Sequence, residues 1–226
     1  MRSFPPGCFA LVLLAALLLL PFLLADVMLT ALAKLGLNPT TSLLAAGGIF
    51  IGGMINIPVK RIPREETVEI PAIQLFGIGR LMPQRVRRQT STVIAINVGG
   101  CIVPTLLALY QLSRLAGEDL FLLIAALGAV ALNTGVCYLL ANPVPDRGIT
   151  MPALVPVLVA VASAYLLAPA FAPPVAFTAG VLGPLIGADL LHLDDIEAIG
   201  AGVASIGGAG TFDGIVLSGL AATVLA

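Results

Sequence analysis

Long, unbroken apolar runs recur along the whole chain, and nothing else in it limits the fold as strongly. A helix needs about 20 apolar residues to cross the hydrocarbon core of a bilayer. Only helices and closed barrels satisfy their backbone groups there, and the runs here are continuous rather than alternating, which selects helices. Charge agrees: 10% of residues are charged, against roughly a quarter in a soluble domain. The expectation is an all-α, polytopic transmembrane helical bundle, residues 1–226 forming a single membrane domain.

The first run, Phe9 to Ala33, is longer than a signal-peptide core of about 7–15 residues. Asp26 and Lys34 also sit badly around a cleavage site, so a retained helix is expected. Asn38-Pro39 opens the second run, Thr41 to Val59, as a helix start. Its glycines Gly47, Gly48, Gly52 and Gly53 form a stripe suited to close helix packing. Further runs cover Ser91–Leu112, Leu120–Ala141, Ile149–Leu167 and Val175–Leu193. The last covers Ala201–Ala226, making about seven membrane segments by length and hydropathy. Its first half and the residue before it hold Gly200, Gly202, Gly207, Gly208 and Gly210. Each glycine inside a helix costs about 1 kcal/mol relative to alanine. The last segment is therefore expected to be glycine-broken or re-entrant.

Seven of the eleven Lys and Arg lie between Lys60 and Arg88. The positive-inside rule makes 60–90 a basic cytoplasmic loop and puts the N-terminus inside. The loop is basic enough to touch anionic lipid heads, and its mix of apolar and basic residues fits either an interfacial segment or a strand pair. The expected location is the cell inner (plasma) membrane, multi-pass. Cys8, Cys101 and Cys137 have no metal-ligand spacing and read as small buried hydrophobes.

Six polar residues stand inside or at the edge of apolar runs: Asn56, Asn97, Asn133, Asp189, His192 and Asp213. Asparagines can bond between helices. A charged aspartate at mid-membrane costs about 2.5–3.5 kcal/mol on insertion scales, so Asp189 and Asp213 need water, a partner or a proton. On a straight helix Asp213 would lie roughly 24 Å from the acidic turn at Asp194–Glu197, with Asp189 only roughly 8 Å from it. A broken glycine segment would bring Asp213 back toward Asp189, or leave it as a helix N-cap. Asp189 and His192 share a helical face, and with Asp194, Asp195 or Glu197 they form a possible metal site.

The blocks INVGGCIVPTLLALY, PALVPVLVA, PVAFTAGVLGPLIGADLLHL and ASIGGAGTFDGIVLSG resemble a family of prokaryotic integral membrane proteins, a domain of unknown function, over about residues 40–226. That resemblance implies no activity. A weaker similarity is to intramembrane aspartyl proteases of the presenilin and prepilin-peptidase kind, through Pro152-Ala153-Leu154 and the GAGTFD that ends at Asp213. Here two residues separate the last glycine from the aspartate, and the Pro-Ala-Leu triplet precedes both aspartates.

Three functions follow. Ion-coupled transport or ion binding would use Asp189 and Asp213, with Asn56 and Asn97 as neutral ligands; Gly- and Pro-interrupted segments in both halves point to such a site. An intramembrane aspartyl protease would use Asp189 and Asp213 as its catalytic pair. A non-catalytic scaffold would use the polar groups for packing alone. No cofactor is expected, and no nucleic-acid partner. The expected partners are the lipid bilayer and an unknown small solute, ion or membrane peptide.

Overall fold

A computed structural model describes residues 6–70, 84–144, 148–195, 203–208 and 214–226. The fold is mostly helical, with a long strand pair and a short ribbon built into it. Helix α1 (Pro6–Lys34) is followed by α2 (Pro39–Gly52). Asn38 Oδ1 accepts the Thr41 N–H at 2.8 Å and Pro39 fills the first turn, as the sequence suggests for this helix start. Then come β1 (Asn56–Ile70) and β2 (Gln84–Asn97), a π-helical turn (Val98–Ile102) and α3 (Val103–Glu118). Helix α4 (Leu120–Leu140) leads to a short ribbon, β3 (Asn142–Val144) with β4 (Gly148–Thr150). Helix α5 (Leu154–Leu167) and a 3₁₀ turn (Pro169–Phe171) lead into α6 (Ala172–Pro184). A π-turn (Leu185–Asp189) and a 3₁₀ turn (Leu190–His192) extend α6. Last come β5 (Val203–Ile206) and α7 (Gly214–Leu225).

Among the described residues three helical stretches, Val98–Glu118, Leu120–Leu140 and Pro169–Asp195, are long and apolar enough to cross a membrane. Helices α2, α5 and α7 are apolar but shorter, 14, 14 and 12 residues, about 18–21 Å each. Leu139, Leu154 and Leu166 are more than 70% exposed, an outer surface suited to lipid and not to water. The protein is a membrane-embedded helical bundle.

The apolar runs do not all stay helical: besides the second and third, the fifth opens as β4 and the last holds β5. The second is helix only to Gly52 and becomes β1 from Asn56; the third begins as β2 and turns helical at Val98. The all-α expectation is corrected there, and the strand-pair option holds for the described parts of 60–90. The cause is local: Ile57, Val59 and Ile62 in one strand and Thr92, Val93, Ile94 and Ile96 in the other are β-branched, which favours a pleated backbone. β1 and β2 pair antiparallel from Asn56↔Asn97 to Ile70↔Gln84. β5 joins β2 in parallel, Val93↔Val203 to Ile96↔Ile206, giving the order β1-β2-β5.

The core of the bundle is α6, buried from Val175 to Leu185 and packed by α3, α4, α5 and α7. Glycine permits close approach: a Cβ on Gly180 would lie 3.0 Å from Gly219 Cα in α7. At the end of the bundle where α6 starts, Tyr165 Oη donates to the Ala226 carbonyl at 2.7 Å. Helix α7 therefore runs antiparallel to α6. Gly214 at the start of α7 and Asp189 beyond α6 point toward the same end, the end from which the β1–β2 hairpin springs.

Candidate functional site

Three glycine pairs meet where the strands give way to helices. Gly52-Gly53 ends α2, Gly99-Gly100 lies in the π-turn after β2, and Gly207-Gly208 follows β5. A Cβ on Gly99 would overlap the Ile49 carbonyl and the Gly53 nitrogen, and one on Gly100 would overlap the Gly207 carbonyl oxygen. Gly207 and Gly208 have φ of 80° and 71°, a region that side chains beyond glycine rarely enter. No larger residue lets these three segments touch.

Each break frees backbone groups, and the polar residues of the apolar runs take them up. Asn97 is fully buried. Its Nδ2 donates to the Gly53 carbonyl at 2.9 Å and to Asn56 Oδ1 at 3.1 Å, while its Oδ1 accepts the Gly100 N–H at 2.7 Å. Asn56 Oδ1 also accepts from Ser205 Oγ at 2.7 Å, which ties β1 to β5 across β2. Half-buried Asp189 presents Oδ2 to the Gly207 N–H at 3.0 Å. One carboxylate thus closes on the first glycine of the segment GGAGTFDG.

β2 and β5 lie side by side and parallel, and each leads through a glycine pair toward a helix, α3 and α7. Two discontinuous elements therefore break at the same level, with Asp189 beside one break and Asn97 inside the other. Non-helical backbone at membrane depth persists only where it is buried in protein or lines a water-filled cavity.

Asn56 and Asn97 are thus brought into direct contact, and Asp189 joins the same junction through Gly207. Asp213 lies outside the described residues, as does Glu197. His192 is 8% exposed; its Nδ1 lies 3.0 Å from the Gly187 carbonyl and its ring centre 4.9 Å from that of Tyr138. Among the described residues no three His, Cys, Asp or Glu gather as a metal site. Asn133 stands apart, its Nδ2 donating to the carbonyls of Pro156 at 3.1 Å and Ala179 at 2.8 Å, so it joins α4 to α5 and α6.

The junction from Asn56 to Gly207 falls inside residues 50–225, which match a family described as a protein of unknown function (DUF1614). The chain belongs to that family. The uncharacterised family that the sequence blocks resemble is thereby shown, and it brings no activity with it. No curated protein and no solved structure matches the chain.

Sequence reasoning passes over Ser205 and the backbone groups of Gly53, Gly100 and Gly207. A signal for them exists: Asn97-Val98-Gly99-Gly100 and Ser205-Ile206-Gly207-Gly208 share one pattern, a polar residue, a β-branched residue and two glycines.

Proposed function

We propose that the protein is an ion-coupled carrier or ion-binding protein of the membrane, with the Asp189 carboxylate as its protonatable or cation-binding group. One observation carries this: Asp189 closes on the Gly207 N–H where two discontinuous strand–glycine–helix elements break side by side. Carriers place substrate and coupling-ion sites at such breaks, where freed backbone groups and a carboxylate supply ligands. A carboxylate there is costly unless it binds a proton, a cation or a partner. In this reading Asn97, whose Nδ2 and Oδ1 are both engaged, holds the scaffold. Asn56, whose Oδ1 accepts from Asn97 Nδ2 and Ser205 Oγ, belongs to the same scaffold.

The test is charge displacement on a solid-supported membrane carrying proteoliposomes of the full chain. A jump in pH or in sodium should evoke a transient current in wild type. Asp189→Asn should abolish it and Asp189→Glu should retain part of it. Equal currents from wild type and Asp189→Asn would refute the reading.

A second reading, an intramembrane aspartyl protease, is favoured by one observation. Asp189 holds Gly207, and the antiparallel course of α7 against α6 returns the chain at Gly214 toward the same end. Two carboxylates sharing one proton would activate a water there. Cysteines at 189 and 213, in a chain with Cys8, Cys101 and Cys137 replaced by alanine, should then cross-link, since a disulfide needs Cα atoms within about 7 Å. Absence of the cross-link in a normally inserted variant would end this second reading.

A further inference from the structure

At the end of the bundle away from the glycine junction, a cleft of about 210 Å³ is lined by Lys34, Gln111, Arg114 and Glu118 on one side and by Phe171, Pro173 and Pro174 on the other. Helix ends build it. Lys34 ends α1 and donates through Nζ to the Val224 carbonyl of α7 at 2.7 Å. Arg114 Nη1 and Gln111 Nε2 both donate to the Leu35 carbonyl, at 2.6 and 3.1 Å. Gly36, with φ 74°, is the residue that lets the guanidinium in: a Cβ there would lie 2.8 Å from Arg114 Nη1. The Arg114 bond to Leu35 uses one of the five N–H donors of a guanidinium, and Lys34 spends one of three. Gln111, only 1% exposed, fixes the floor.

A second cavity of about 400 Å³ adjoins the first, sharing Glu118, Ala170 and Phe171 with it. Its other walls carry Asp119, whose Oδ1 accepts the Phe121 N–H at 3.0 Å, and the apolar Phe121, Leu122 and Leu167. Phe121 on that wall is exposed, as are its chain neighbour Leu120 and Leu166, the neighbour of Leu167. Two cations, two carboxylates and an apolar exit toward the bilayer form a composite that a free anion would not need.

We infer that this paired cleft binds the headgroup of a membrane phospholipid. Lys34 and Arg114 hold its phosphodiester, Glu118 faces an ethanolamine ammonium, and the first methylenes leave past Phe171 and Leu167. Arginine suits phosphate geometry, and cations at helix ends beside a bilayer are placed to meet lipid phosphate. The site stands at the opposite end of the bundle from Asp189 and does not depend on the proposed transport.

The test is native mass spectrometry of the full chain in detergent, delipidated and then titrated with phosphatidylethanolamine. One tightly held lipid per chain is expected. Lys34→Gln with Arg114→Gln should weaken it about tenfold, the scale of losing charge-assisted hydrogen bonds, and Arg114→Lys should weaken it less. Equal occupancy in wild type and the double variant would overturn the inference. So would equal binding of diacylglycerol, which has no phosphate, or displacement by millimolar inorganic phosphate, which would make the cleft a soluble-anion site. If the double variant fails to fold, Phe171→Trp gives a chain whose only tryptophan lines both cavities. Phosphatidylethanolamine brominated on its acyl chains should quench it saturably at about one lipid per chain by the same one-site arithmetic, and quenching without saturation would overturn the inference.

Discussion

At the scale of single residues, Asn97 shows how much a lone polar side chain inside an apolar run can carry. It satisfies a carbonyl freed where α2 ends and an N–H of the π-turn, and it bonds Asn56 as well. Replacing it by alanine leaves Gly53 O and Gly100 N buried without that partner. Each such orphan costs about 1–3 kcal/mol, so Asn97→Ala should destabilise the folded chain by about 2–6 kcal/mol. Asn56 is exposed and water can replace its bonds, so Asn56→Ala should cost about 1 kcal/mol or less. Thermal unfolding in one detergent ranks the two, and equal losses would contradict this assignment. Sequence alone marks Asn97 as out of place. It cannot name the partners, because two of the three are backbone atoms delivered by glycine pairs 44 residues before it and three after it.

At the scale of elements, the glycines separate into two kinds. Those at the junction allow backbone breaks, while Gly180 and Gly219 allow two helices to touch. A Cβ on Gly219 would overlap Val181 Cγ2, and the far larger side chain of Gly219→Leu would force α7 off α6. Overpacking of this sort costs about 1–3 kcal/mol, sometimes more. A Cβ added at Gly117 would meet nothing within 4 Å, so Gly117→Ala should be neutral or slightly stabilising. A melting temperature for Gly219→Leu equal to that of wild type would show that the α6–α7 contact is not tight. Most helices are legible from hydropathy, and the broken last segment from its glycine content. The hairpin is not: an apolar β-branched run reads equally as buried helix or strand, and here the strand ladder β1–β2 settles what periodicity leaves open. The glycine break is also why α2 is short, since it hands its remaining depth to β1.

At the scale of the whole molecule, the contacts sort the chain ends of the elements into two levels. Leu35 meets Arg114, Lys34 meets Val224 and Tyr165 meets Ala226 at one level, joining the ends of α1, α3, α5 and α7. The hairpin base, the glycine junction, Asp189 and the contact of His192 with Tyr138 near the end of α4 lie at the other. If the bundle crosses the bilayer along this axis, the basic hairpin defines the cytoplasmic side and the lipid cleft opens on the far side. Single cysteines introduced at Thr67, Thr150 and Ser113, in the cysteine-free chain, test it with a maleimide that cannot cross membranes. Thr67→Cys and Thr150→Cys should label together in inside-out vesicles, and Ser113→Cys in right-side-out vesicles. Labelling of Thr67→Cys and Ser113→Cys from one side would mean that Val98–Glu118 does not span, and the carboxylate at Asp189 would then need no membrane explanation. Opposite labelling would place Asp189 on the cytoplasmic half of the bundle, where a proton or cation released from it enters the cell interior.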